Sequence, residues 1–251
     1  VTLLRVNVGG IDFFGHQGPF AIGKEGFTGW DDQEYRSASE ARVNAHGNYP
    51  ERSYREAKTV NLNGFIIANG SEQLNHYMDL FNGILAEGRS EKLTVDRPWG
   101  ARWAPASVVS RKTVEVGGLP RATFALSLRL ESTERFGQIE TFSGGIGTAF
   151  DVFQRGVVET WPMLTVTGSM PGGYEISLGG QLLEITKGIA TGQTHTIDTK
   201  TGILRSNGSV VVGGLGITEL FTVKPGLAQS IYSAPRTTGT GTLKVEVTDT
   251  Y

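Results

Sequence analysis

The segments WPMLTVTG (161–168), TIDTKTGILRSNG (196–208) and ELFTVKPGLAQSIY (219–232) lie in one stretch, 161–232, whose reading decides the fold. Apolar residues alternate there in short runs, and Gly, Asn and Pro punctuate them. Alternation sends successive side chains to opposite faces of a strand. Turn signals at a spacing of roughly 8–12 residues fit two packed sheets. Asn207-Gly208, between apolar runs at 203–205 and 210–212, is the strongest hairpin signal in the chain. Further strands are expected at 150–153, 157–167, 174–178, 183–185, 194–198, 220–223, 230–232 and 243–247. Trp161, just before Pro162, is read as an anchor of the sandwich core.

Outward from this stretch, the bulk properties narrow the classes. A chain of 251 residues holds one large β domain or two ordinary ones. Thirty-five glycines, with 38% hydrophobic and 19% charged residues, describe a turn-rich globular protein. A formal net charge of -2 lacks the basic field that grips DNA phosphates, so nucleic-acid binding is not expected. The absence of cysteine removes disulfides, zinc thiolates and thiol nucleophiles. No apolar run approaches the roughly 18 residues of a membrane span. The opening VTLLRVNVGGIDFFG (1–15) reads as strand, turn and strand rather than as a signal peptide.

In the first half, Leu4, Val6 and Val8 alternate, Gly9-Gly10 turns the chain, and 11–14 returns. Residues 31–56 change character: they are charged, aperiodic, and carry Arg36, Arg42, His46, Tyr49, Arg52 and Arg55. A segment of this length without periodicity is commonly functional or an interaction arm. Arg and Tyr favour interfaces, so these six residues are candidate contacts with a neighbouring subunit, a solvated loop being the alternative. β structure resumes over 57–68, with Gly64 expected as a bulge or kink. A helix is predicted near 71–87. Leu74, Tyr77, Met78, Phe81, Ile84 and Leu85 follow helical spacing; Asn69 or Ser71 can cap its start and Gly88 its end. Strands follow over 92–96, 103–110, 112–116 and 121–130, the last with Phe124, Leu126, Leu128 and Leu130 on one face. Residues 1–137 hold 16 Lys and Arg and 16 Asp and Glu, against 7 and 9 in the remainder. That drop places a domain boundary between 137 and 147. The fold class is mainly β: a β domain with one helix over 1–137, then a β-sandwich over 138–251.

Tests for chemistry return little. Gly144-Gly145-Ile146-Gly147-Thr148 lacks the Lys-Ser/Thr ending of a phosphate loop and reads as linker. His195 and Asp198 on one strand face opposite ways, which is poor ligand geometry. His16, His46 and His76 form no spaced cluster, and no serine sits in a nucleophile elbow. No catalytic residue, metal site or cofactor is therefore expected. Exposed aromatics remain: Tyr174 and Tyr232 are candidate stacking platforms for a sugar ring, the basis of an alternative reading as a glycan-binding adhesin module.

The order of features resembles the distal tail proteins of long-tailed, non-contractile phages. The matching residues are Gly26 to Trp30, Arg36, His46-Gly47, Tyr49, and Arg55 leading into 60–64 and the single helix. In the second half they are Trp161-Pro162, 165–168, Ile197-Asp198-Thr199, Asn207-Gly208, Phe221 and Pro225-Gly226. The resemblance implies a tail-tube-like N-terminal domain and a galectin-like C-terminal sandwich. It further implies a homo-hexameric ring that joins the tail-tube protein to the tail-tip hub and lets DNA pass, in the virion's tail tip. Such a ring needs one patch meeting a different patch on the neighbour. Segment 31–56 is the candidate for one side, and open strand edges in the first domain are expected to be satisfied by ring closure. A fold of galectin type does not by itself supply sugar binding.

Overall fold

The computed structural model describes residues 4–15, 18–36, 42, 46, 49 and 52–251. The chain divides into two compact units, Val1–Arg135 and Phe136–Tyr251.

The first unit is a β-barrel. Its strands are β1 (Arg5–Val8), β2 (Ile11–Phe14), β3 (Phe20–Thr28), β4 (Tyr35–Arg36), β5 (Tyr54–Arg55) and β6 (Thr59–Ile67). Helix α1 (Ser71–Gly83) follows, then β7 (Glu91–Arg97), β8 (Gly100–Glu115) and β9 (Arg121–Leu130). Hydrogen bonding runs in the order β8-β7-β1-β2-β3-β6-β9, and β9 pairs back onto β8, which closes the ring of strands. The open edges expected in this domain are thus consumed by its own closure. β4 and β5 stand apart as a separate two-stranded ladder.

The barrel's core is apolar and aromatic. Phe13, Phe20, Phe81 and Phe124 meet with ring centroids 5.3–6.5 Å apart. Phe81 and Leu74 bring α1 into that cluster, and Tyr77 and Met78 pack beside them as the spacing requires. The helix ends differ from expectation. Gly70 is the N-cap without a side-chain bond, and the Gln73 side-chain oxygen accepts from the Asn69 N–H at 2.8 Å. At the other end Leu85, not Gly88, first enters the left-handed region, with φ 48°. That conformation costs a branched residue about 1–2 kcal/mol. Burial of Leu85 and the bond from Arg111 Nη1 to the Ile84 carbonyl, at 2.7 Å, hold it there.

Two further local expectations are corrected. The pair of strands at 103–110 and 112–116 is one long strand, β8, carrying a bulge at Val109. The extra residue reverses the inward parity, so Ala104 and Ala106 face the core before it while Arg111 and Thr113 pair with core-facing Leu126 and Phe124 after it. Gly64 is no bulge. It pairs regularly with Phe124, and a Cβ there would run into the Ala21 carbonyl and the Phe124 ring. The irregularity lies opposite it, between Ile22 and Phe27 of β3.

The second unit is a two-sheet sandwich. Its strands are β10 (Phe136–Gly145), β11 (Phe150–Val152), β12 (Met163–Ser169), β13 (Tyr174–Leu178), β14 (Gln181–Ile185) and β15 (Thr194–Asp198). They continue with β16 (Ile203–Ser206), β17 (Ser209–Val210), β18 (Leu215–Thr218), β19 (Gln229–Pro235) and β20 (Thr240–Thr250). One sheet runs β17-β16-β15-β12-β20-β10, the other β11-β19-β13-β14-β18. Leu164, Val166, Ile197, Leu243 and Val245 of the first share one core with Tyr174, Ile176, Leu183 and Ile231 of the second. Asn207 (φ 47°) and Gly208 (φ 84°) make the two-residue turn between β16 and β17 that their sequence requires.

Segment 144–148 is not a free linker: Gly144 and Gly145 end β10, and the N–H groups of Ile146 and Gly147 donate to the carbonyls of Gly241 and Ser233. β10 as a whole pairs with β20, and Gly144 is needed because a Cβ there would enter the Phe150 ring. Nor does a strand begin at 157; residues 153–162 are irregular and pinned by the buried side chain of Gln154. Its amide donates to the carbonyls of Val158 (2.7 Å) and Val223 (2.9 Å), and its oxygen accepts from Thr250 N–H (3.2 Å). Trp161 is 42% exposed and is no core anchor. Pro162 is the buried residue, and its carbonyl accepts the Thr199 hydroxyl at 2.7 Å.

Candidate assembly interface

The candidate interface segment of the first unit is bracketed by its stem, the separate, exposed ladder of β4 and β5. A repeated dipeptide builds it: Tyr35-Arg36 pairs with Tyr54-Arg55, in the register Tyr35 to Arg55 and Arg36 to Tyr54. Residues directly opposite in a ladder share a face, so each face of the stem carries one tyrosine and one arginine. Both tyrosines are 60% exposed. A two-stranded ladder without a packed face is marginal alone in water. The Glu56 N–H to Glu34 carbonyl bond (2.9 Å) extends it by one link.

The arm is fixed at its root by Asp31. One carboxylate oxygen accepts from Arg97 at 2.6 Å and the other from Arg135 at 2.8 Å. Arg135 lies over the ring of buried Trp30 at 5.8 Å and Arg97 over Trp99 at 5.6 Å. Burial pushes the Asp31 carboxyl upward, but the bonds and charges of Arg97 and Arg135 together hold it below the usual carboxylate range.

Of the six predicted arm contacts, Arg36 and Arg55 sit on opposite faces of the stem. Arg42 lies over the Tyr49 ring at 5.6 Å, and Arg42, His46, Tyr49 and Arg52 are all exposed. The intervening positions 37–41, 43–45, 47–48 and 50–51, like His16, lie outside the described residues. The sequence reading missed Tyr35, Tyr54 and the Asp31 clamp. The doubled Tyr-Arg was the available signal, since the same pair recurring at both ends of an aperiodic stretch suggests a stem.

The two candidate sugar platforms part company. Tyr174 is fully buried, its hydroxyl 3.2 Å from His195 Nδ1, so it cannot stack on a sugar. Its alternation with Ile176 and Leu178 puts it on the core face. Tyr232 is 45% exposed on the outer face of β19. His195 and Asp198 do face opposite ways, His195 inward. Among the described residues, no three His, Asp or Glu come together in a way that could hold a metal ion. Among the described residues, no helix is long and apolar enough to cross a membrane.

Neither the protein-family models nor the curated proteins contain a match to this chain. Solved structures do match. The Dit (gp 19.1) protein of phage SPP1, described as a paradigm of the hub adsorption apparatus in phages infecting Gram-positive hosts, is similar with a TM-score of 0.77 at 15% identity. The match covers 99% of each chain. Chains of the activated phage P2 baseplate, with calcium and with strontium, match at TM-scores of 0.57 and 0.59 and identities of 7% and 6%. These matches span 97% of this chain and 98% of theirs. The resemblance carried by the sequence and the likeness of the folds thus point to the same proteins: from end to end, this chain has the fold of a phage tail hub protein.

Proposed function

We propose that this protein is a structural, non-catalytic subunit of a phage tail tip, six copies of which close a ring between the tail-tube protein and the tail-tip hub. The first domain, 1–137, is tail-tube-like and forms the ring. The second, 138–251, is a galectin-like sandwich. The observation that carries this reading is the full-length likeness to the SPP1 hub protein at a TM-score of 0.77. The arm supports it physically. Its stem exposes tyrosine and arginine on both faces. A neighbouring copy packs against it, and Arg36, Arg42, His46, Tyr49, Arg52 and Arg55 form one side of a heterologous contact. A net charge of -2 suits a lumen through which DNA slides without being held. Burial of Tyr174 removes half the basis for the adhesin alternative.

Sedimentation of the purified chain, with negative-stain images of assembled tails, tests this. Rings of six copies at the junction of tube and tip are expected. A chain that stays monomeric at high concentration and is missing from that junction would overturn the reading.

A further inference from the structure

The first unit carries a groove of about 710 Å3 whose lining includes Leu4, Phe27, Phe65 and Trp99 together with Lys24 and Arg97. The irregularity of β3 shapes it. Ile22 pairs with Gly64 and Phe27 with Leu62, so residues 23–26 stand opposite Asn63 alone. The kink is fixed, because a Cβ on Gly26 would run into the Asn63 carbonyl. Phe65 is 47% exposed and Trp99 65%, so the aromatic part of the lining meets solvent. Large apolar side chains gathered at a surface in this way mark interaction sites. No carboxylate among the described residues lines the groove. Asp31 does hold Arg97, but it also holds Arg135, so one carboxylate answers two guanidiniums. Lys24 has no ion-pair partner among the described residues. The groove suits an apolar group that brings a carboxylate with it.

The tip of the β8–β9 hairpin has that chemistry. Residues 113–120, TVEVGGLP, contain no cation and one acid, Glu115. Val114, Glu115, Val116 and Leu119 are all exposed. The tip is ordered by its own bonds: the Val116 N–H donates to the Arg121 carbonyl at 2.8 Å, and the Arg121 N–H to the Leu119 carbonyl at 2.8 Å. A Cβ on Gly117 or Gly118 would meet no atom within 4 Å, so the turn stands in open space. A copy does not fill its own groove. Val114 pairs with Thr123 and Thr123 with Phe65, and that ladder holds tip and groove side by side. The tip also lies at the end of β6 and β9 remote from the arm, since Ile67 pairs with Arg121 at one end and Thr59 with Arg129 at the other. Arg97 belongs both to the groove and to the clamp at the arm's root, so groove and arm adjoin. Tip and groove are thus the two unlike patches that a closed ring requires.

We propose that the groove receives the β8–β9 hairpin tip of a second copy of this chain, with Val116 and Leu119 against Phe65 and Trp99 and with Glu115 paired to Lys24. The inference rests on the ring reading above and supplies the side of the contact opposite the arm. Apolar contact at the centre gives the adhesion, and the charge pair fixes which way the tip enters.

The experiment is sedimentation of the full chain over a concentration series, repeated with charge reversals. Lys24→Glu and Glu115→Lys each bring like charges together and are expected to raise the concentration at half assembly several-fold. The double variant K24E/E115K restores an opposite pair and is expected to return that concentration to the parent's. Leu119→Ser removes an apolar anchor and is expected to weaken assembly about tenfold. All three side chains are exposed, so thermal melts of the dilute variants should match the parent's. Single reversals that assemble like the parent, or a double variant no better than the singles, would overturn the contact of groove and tip while the ring itself stands. Weakening by the tip variants with Lys24→Glu silent would give the tip to a different occupant and overturn it equally. A parent chain that stays monomeric at every concentration would overturn the contact and the ring reading together.

Discussion

The barrel and the sandwich handle polar groups in opposite ways. In the first unit the interior is hydrocarbon and aromatic, with Lys58 the buried charged residue among those described, and the polar chemistry is pushed to the arm and its root. In the second unit polar side chains are inside: Gln154, His195, Thr199, Ser233 and Asp249 are all buried. Gln154 and Asp249 bond the irregular 153–162 segment to the last strand, replacing backbone pairing that a regular strand supplies for itself. The barrel closes by its ladder and can leave its interior apolar. The sandwich contains a long non-strand segment, and buried side chains must satisfy it.

The sharpest way to break this contrast is Phe81→Ala, which empties the centre of the barrel's aromatic cluster. It should cost about 3–5 kcal/mol. In chemical denaturation followed by circular dichroism, the transition of the first unit should move while that of the second stays. Next, Gln154→Leu keeps the volume but strands two carbonyls and an N–H. A loss of about 2–3 kcal/mol is expected, confined to the second transition. A near-neutral result would show that the segment is held by packing instead.

Histidine 195 gives a gentler test. Burial, and then the charge of Lys187, depress its pKa in the folded chain. The unfolded chain therefore takes up the proton first, and stability of the second unit should fall as pH drops below the ordinary histidine value of about 6.5. The slope is at most ~1.4 kcal/mol per pH unit. His195→Phe should flatten that slope in melts between neutral pH and the acid limb, and the first unit should show no such dependence from this source. The smallest effect on stability is expected from Tyr54→Ala at the stem of the arm. Under about 0.5 kcal/mol should be lost, because the ring is already solvent-exposed. Sedimentation should nonetheless show weakened assembly, which would separate the arm's role from the fold's.

Much of this architecture was legible. The apolar stripe from Leu74 to Ile84 predicts α1 and its buried face, and Asn207-Gly208 predicts its hairpin, because both signals are local. What was not legible depends on partners distant in sequence. A bulge at Val109 reverses the parity of β8, and only its pairing with β9 reveals that one strand continues through it. Trp161 looked like a core residue by type, yet the bond that the Thr199 hydroxyl donates to the Pro162 carbonyl fixes the chain so that the proline turns inward. At the candidate interface the aperiodic stretch was visible as an arm. Its root was not, since Asp31 finds Arg97 and Arg135 only through tertiary closure.

The position of β20 carries a consequence for how the second unit comes to exist. This strand lies between β10 and β12: Glu140 pairs with Val247, and Thr165 pairs with Lys244. Until β20 inserts, nothing hydrogen-bonds β10 to the β12-β15-β16-β17 half of its sheet, and both flanking strands expose a bare edge. Joining segments so far apart along the chain is slow, because the closure entropy is spent before the contacts form. Insertion of β20 is therefore the step that completes the sheet, and strand mispairing between molecules is expected to be favoured while its place is empty. Slow synthesis at low temperature should raise the yield of this unit more than that of the barrel, whose β7, β8 and β9 form from consecutive hairpins.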